Sequence, residues 1–154
     1  TLARLMMQKS DNTAAYVLSK YIVGQNTIQQ LVDSWGLTQT DIIKNTTSNR
    51  DMAILMKKIY QGDITNPSLT KEMLSLMTDS DFEDRIPAHL PPDTVVYHKI
   101  GNSLSGGYHD VGVVETPSGL TYFIGMFSTD IDNPEQTIEI LADISKLVYD
   151  FMTQ

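Results

Sequence analysis

The chain has 154 residues, 41% of them hydrophobic and 19% charged, a balance that suits one ordinary globular domain with a real core rather than a disordered segment. A formal net charge of −8 repels polyphosphate, so nucleic acid is not an expected partner, and the lack of cysteine excludes disulfides and thiolate chemistry. No apolar run approaches the roughly 20 residues of a membrane span, and His89, His98 and His109 share no zinc-type spacing, so no metal or cofactor is expected.

Thr1 to Met7 already reads as helix, with Leu2, Leu5 and Met6 on one face, and residues 1–25 do not read as a signal peptide. Any targeting segment is therefore expected upstream. Ser10-Asp11-Asn12, three residues that favour helix starts and turns, interrupts this helix. A second helix follows, with Ala14, Val17, Leu18, Tyr21 and Ile22 at helical spacing and Gly24 as its stop. Asn26-Thr27 starts a third, carrying Ile28, Leu31, Val32 and Trp35 and closed by Gly36.

Residues 37–47 are polar and aperiodic, which predicts a loop with at most a short extended piece. Ser48 caps a helix whose apolar positions are Met52, Ile54, Leu55, Met56 and Ile59, with Gly62 as its end. Asn66-Pro67-Ser68 opens another, with Leu69, Met73, Leu74 and Met77 inward. The methionines sit at core spacing and read as gap fillers. Residues 79–93 form a long connection in which Asp79, Asp81, Glu83 and Asp84 read as a solvated charge run.

Beyond it the apolar period shortens from 3.6 toward 2. Thr94 to Asn102, Tyr108 to Glu115 and Thr121 to Ser128 are strand candidates, and Pro117-Ser118-Gly119 is a hairpin turn between the last two. Asp132-Asn133-Pro134-Glu135 opens a final helix whose Ile138, Leu141, Ile144, Val148 and Phe151 are expected to cover the sheet. The fold class is α+β: a helical region over residues 1–84, then three antiparallel strands and a covering helix over 85–154, taken together as one domain. A sheet of three strands is thin, and its edges call for further strands.

Two stretches carry chemistry. A hydroxyl, a carboxylate and an amide open the second helix at Ser10-Asp11-Asn12, and Lys99-Ile100-Gly101 puts a positive charge beside a glycine on the first strand, where a ligand could approach closely. Alone, each has a local explanation: a helix cap for the first, a lysine reaching out to water for the second. His98 and His109, on strands, read as surface or satisfied core groups rather than site residues.

In order and spacing, the two stretches resemble the S-D-N and K-T-G signatures of the penicillin-recognising serine hydrolases, the class A β-lactamases and penicillin-binding proteins. Thr46-Thr47-Ser48-Asn49-Arg50-Asp51-Met52-Ala53, Arg85-Ile86-Pro87 and Asp110-Val111-Gly112-Val113-Val114 are similar to further segments of that family. The resemblance covers nearly the whole chain but only the later part of the family fold. It implies an incomplete β-lactamase-like architecture whose preceding helix, strands and S-x-x-K nucleophile lie in a missing N-terminal part or a second copy. It implies that Ser10 passes a proton to the leaving nitrogen, that Lys99 faces the substrate carboxylate, and that Asn12 holds a substrate amide. Asp11 is structural in that scheme, and Gly101 and Asn102 line the substrate, the Asn102 N–H giving one oxyanion-hole donor.

The implied activity is acyl transfer or hydrolysis on β-lactams or peptidoglycan peptides, in the periplasm or outside the cell. Three departures qualify it. Ser68-Leu69-Thr70-Lys71 spells S-x-x-K after the S-D-N rather than before it, and reads as an ordinary helix start. Ile100 replaces the motif threonine, and no glutamate stands between Trp35-Gly36 and Ser48 to activate a deacylating water. The alternatives are a non-catalytic binding or scaffold module and an esterase on the same fold.

Overall fold

The computed structural model describes residues 1–103 and 106–154. It divides into two compact units, Thr1–Leu76 and Met77–Gln154. The first is helical: α1 (Leu2–Gln8), α2 (Asn12–Tyr16), a π-helical segment (Val17–Val23), α3 (Gln25–Ser34), α4 (Asn49–Gln61) and α5 (Pro67–Ser75). The helix starts follow from side-chain caps. Asp11 accepts from Ala14 N, Ser48 from Asp51 N and Asn66 from Leu69 N, each satisfying an amide that has no carbonyl below it. Gly62 ends α4 in the left-handed conformation at φ 77°, where a side chain would be strained.

The second helix departs from the expected period. Only α2 is α-helical; from Val17 to Val23 the backbone is π-helical, with a wider turn. The helical spacing of Val17, Tyr21 and Ile22 therefore does not produce an inward stripe. Ala14 is buried, whereas Tyr21 and Ile22 are 69% and 61% exposed. The 37–47 loop contains one short bridge, Asp41 to Thr46, and is pinned by side chains. The Gln29 amide donates to Thr40 O and accepts from Ile42 N, while the buried Asp51 carboxylate accepts from Gln39 N and the Thr40 hydroxyl.

The second unit holds β1 (Val95–Asn102), β2 (Tyr108–Glu115) and β3 (Thr121–Phe127), an antiparallel sheet in the order β1-β2-β3, and α6 (Pro134–Met152). Asn133 caps α6 and Pro134 opens it. The register pairs Val96 with Val114, His98 with Gly112 and Ile100 with Asp110, so these residues share a face with Tyr122, Ile124 and Met126. That face, Ile86, Leu141 and Tyr149 form the core.

The inward face of α6 differs from expectation. Leu141, Ala142, Ser145 and Tyr149 are buried, whereas Ile144 and Phe151, expected inward, are 40% and 73% exposed. The helix is apolar on two sides, and the Ser145 hydroxyl, donating to Ile86 O at 2.8 Å, fixes which side turns in.

Gly112 leaves room for His98. A Cβ there would lie 2.8 Å from His98 Cβ and 2.9 Å from Tyr97 O, closer than packed atoms allow. Gly112→Ala should destabilise the chain by about 1–3 kcal/mol in equilibrium denaturation, the usual range for an overpacked core. An unchanged midpoint would mean that the strands part without cost.

Candidate functional site

Ser10 lies between α1 and α2, half-buried, with φ 50°, a left-handed conformation that costs a non-glycine residue about 1–3 kcal/mol. Hydrogen bonds on either side hold it there. Lys9 N and Asp11 N both donate to Leu5 O, at 3.1 and 3.0 Å, and Asp11 Oδ1 accepts from Ala14 N at 2.8 Å. The tripeptide joins α1 to α2: Asp11 is the cap, and Asn12, exposed, is the first helical residue.

In the second unit, β1 brings two of its predicted residues, Lys99 and Asn102, to one edge. His98 N donates to Met77 O at 2.9 Å, on the side away from β2. Residues two apart in an antiparallel strand point their amides to the same edge, so the N–H groups of Ile100 and Asn102 lie on this outer edge too. The Lys99 ammonium donates to Ile100 O at 2.8 Å. A cation and a backbone donor therefore share the edge, with Asn102 exposed. Ile100 is buried with an apolar side chain, and a Cβ at Gly101 would make only ordinary contact with the His109 ring.

Burial pulls the Lys99 ammonium down to about 8; the nearby Arg85 charge adds to this and Asp110 opposes it. Lysine at that value exchanges its proton near neutral pH, as groups in working sites often do. An open cavity of about 320 Å³ lies beside the start of β1, lined by Asp79, Glu83, Thr78 and Thr94 among others. Its two carboxylates suit it poorly to an anionic ligand.

Behind β1 is a polar cluster that sequence reasoning did not assemble. His98, 2% exposed, holds Asp110 through Nδ1 at 2.9 and 3.0 Å and Glu83 through Nε2 at 3.2 Å. Glu83 also accepts from Ser80 N, and Asp110, fully buried, accepts from Ile86 N at 3.1 Å. Burial alone would lower the His98 pKa, but hydrogen bonds and charge from Asp110 and Glu83 outweigh it and raise it to about 9. Glu83 stays exposed, as expected of the 79–84 charge run, yet one of its carboxylate oxygens reaches the buried imidazole. Arg85, 1% exposed, donates from Nη1 to His109 O at 2.8 Å and lies 5.4 Å from the Tyr108 ring centre. Burial and this guanidinium both push the His109 imidazole below its ordinary range. The available signal was a charged Asp110 at the head of an apolar strand run; its partners depend on register.

Residues 1–152 match the sequence model of the Beta-lactamase enzyme family. A β-lactamase of Bacteroides uniformis is 28% identical over 99% of this chain and 60% of its own length. The extended-spectrum β-lactamase PER-1 of Pseudomonas aeruginosa is 25% identical over 97% and 56%. The chain thus spans little more than half the length of these relatives. Among solved structures, PBP-A superposes with a TM-score of 0.89 at 31% identity, over 99% of this chain and 60% of that one. A mutant of PBP-A has been solved as an acyl-enzyme complex with penicillin G.

The His98 cluster makes stability depend on alkaline pH. The folded pKa, about 9, lies above the ordinary 6.5, so the contribution is full below about 6.5 and is lost as pH rises through about 9. Its ceiling, from the size of the shift, is roughly 3 kcal/mol. Denaturation midpoints should fall between pH 7 and pH 10, and His98→Gln should flatten that slope. Asp110→Asn, which strips a buried cation of its partner, should cost about 3–5 kcal/mol at pH 7. A slope unchanged by His98→Gln would assign the pH dependence to another group.

Proposed function

Because the chain belongs to the Beta-lactamase enzyme family, we propose that it forms the later part of one β-lactamase-like domain. In this role it supplies proton relay and electrostatics to an active-site serine acyl transferase acting on β-lactams or peptidoglycan peptides. The observation that carries this is the outer edge of β1. There the Lys99 ammonium and the Asn102 N–H share one edge, within the stretch that resembles the family's K-T-G.

In the reaction, a serine supplied from outside these residues attacks the amide carbonyl. The developing oxyanion draws on the Asn102 N–H, which is aimed before the reaction begins and so does not have to reorganise. Ser10 hands a proton to the leaving nitrogen, Asn12 holds the substrate side-chain amide, and Lys99 attracts the substrate carboxylate. Gly101 lets the substrate backbone lie close to β1. With no glutamate in the 37–47 loop, water has no base there, and the acyl-enzyme should hydrolyse slowly. The acyl-enzyme known for PBP-A is consistent with such a course.

A second reading is favoured by Ile100. Its buried hydrocarbon offers no hydroxyl to a carboxylate, which suits an esterase on the same fold or a binding module without catalysis.

A protein that joins this chain to an S-x-x-K segment should be labelled by a fluorescent penicillin. Lys99→Ala should slow the labelling by about 10²–10³-fold, as loss of a preorganised electrostatic group does. The second-order rate should also fall above about pH 8, as the Lys99 ammonium loses its proton. No label on such a protein would favour the esterase or the binding module. The chain alone should not turn over nitrocefin; turnover abolished by Ser68→Ala would instead identify Ser68, exposed in the first turn of α5, as a nucleophile.

A further inference from the structure

We propose that His89, Glu139 and Asp143 bind a divalent transition-metal cation, at a site separate from the acyl-transfer groups. Glu139 and Asp143 stand four residues apart on α6, so both carboxylates project from one side of the helix. His89 reaches them from the turn before β1. Its Nδ1 is 3.2 Å from Asp143 Oδ1 and its Nε2 3.6 Å from Glu139 Oε1. One ligand atom from each residue falls within 4.8 Å of the other two, close enough for a single ion to reach all three.

The donor set narrows the ion. One imidazole with two carboxylates matches zinc, cobalt, nickel or copper, whereas magnesium and calcium prefer oxygen alone. A single ion can take only one ring nitrogen, so it would replace the two ion pairs that the imidazole now divides between the carboxylates. It would also neutralise two anionic groups on a chain of net charge −8. The side chains are 36%, 66% and 65% exposed, which leaves the remaining coordination positions to water.

The scaffold under these ligands is already held. The 85–90 turn closes through Ala88 N to Arg85 O and Leu90 N to Pro87 O, at 3.2 and 3.1 Å. Its Ile86 is bonded at both ends, the carbonyl accepting from Ser145 of α6 and the amide donating to Asp110 of β2. Leu90 packs against the core. His89 is therefore carried by a turn fastened to the helix that bears the two carboxylates, and binding demands little backbone ordering. The bound ion would add a further tie between the lead-in to β1 and α6.

Calorimetric titration of the chain with zinc should give saturable one-to-one binding, with no comparable heat from magnesium at the same concentration. His89→Ala should weaken zinc binding by roughly tenfold or more, since even supporting groups around a metal are worth that much, and Glu139→Gln should weaken it as well. His98 and His109 remain in both variants, so the loss reports this cluster alone. Zinc-soaked crystals should show an anomalous peak at about 2.1 Å from a His89 ring nitrogen. Absence of saturable uptake, affinity unchanged in His89→Ala, or an anomalous peak elsewhere would leave the three residues as an ion-pair cluster and overturn the proposal.

Discussion

Asp110 lies at the head of β2, fully buried, on the face of the sheet that packs against α6. A carboxylate taken out of water costs several kcal/mol unless charge and hydrogen bonds offset it. Here His98 and the Ile86 amide do so. Because His98 belongs to β1 and Ile86 to the segment before it, this one group ties a connection to two strands. Glu83 extends the tie by holding the other ring nitrogen and Ser80 N, and Met77 O closes the edge at His98 N. Further along, among the described residues, the Ile100 and Asn102 amides take no such backbone partner. Where the lead-in segment stops covering β1 is where a ligand could pair with it.

Much of the fold was legible from local chemistry. Caps at Asp11, Ser48, Asn66 and Asn133, the left-handed Gly62 and the prolines at helix starts are decided within four residues. The strands were found because their period is short and their turn residues are plain, and β2 has the bounds expected of it. What was not legible depends on partners far away in the chain. The π-helical turn at Val17–Val23 cannot be told from an α-helix by apolar spacing. On α6, Leu141 and Val148 turn inward as expected, whereas Ile144 and Phe151 do not, because two sides of the helix are apolar and Ser145, bonded to Ile86 O, lies on the buried one.

The candidate site divides in the same way. Lys99 and Gly101 were visible as a pair on a strand, but the cluster behind them was not, since meeting His98 with Asp110 and Glu83 requires the register of β1 against β2 and the path of the 77–86 segment. The charge run at 79–84 looked solvated as a block, and composition gave no reason to single out Glu83. In the sequence, Arg85 figures only within Arg85-Ile86-Pro87, a segment similar to one of the family's. In the structure it is a buried cation close enough to depress both Lys99 and His109.

The pairing of His98 with Gly112 ties two positions on different strands into one allotment of space. The atoms that press on the glycine are His98 Cβ and Cα and the Tyr97 carbonyl, which any residue other than glycine would also present at position 98, so the constraint falls on Gly112 itself. Shortening the side chain at the first position would not admit a methyl group at the second, because the backbone carbonyl and the Cβ would remain. Saturation libraries aimed at this sheet would find more folded members with the glycine codon held fixed while its cross-strand neighbour is varied than with both varied at once.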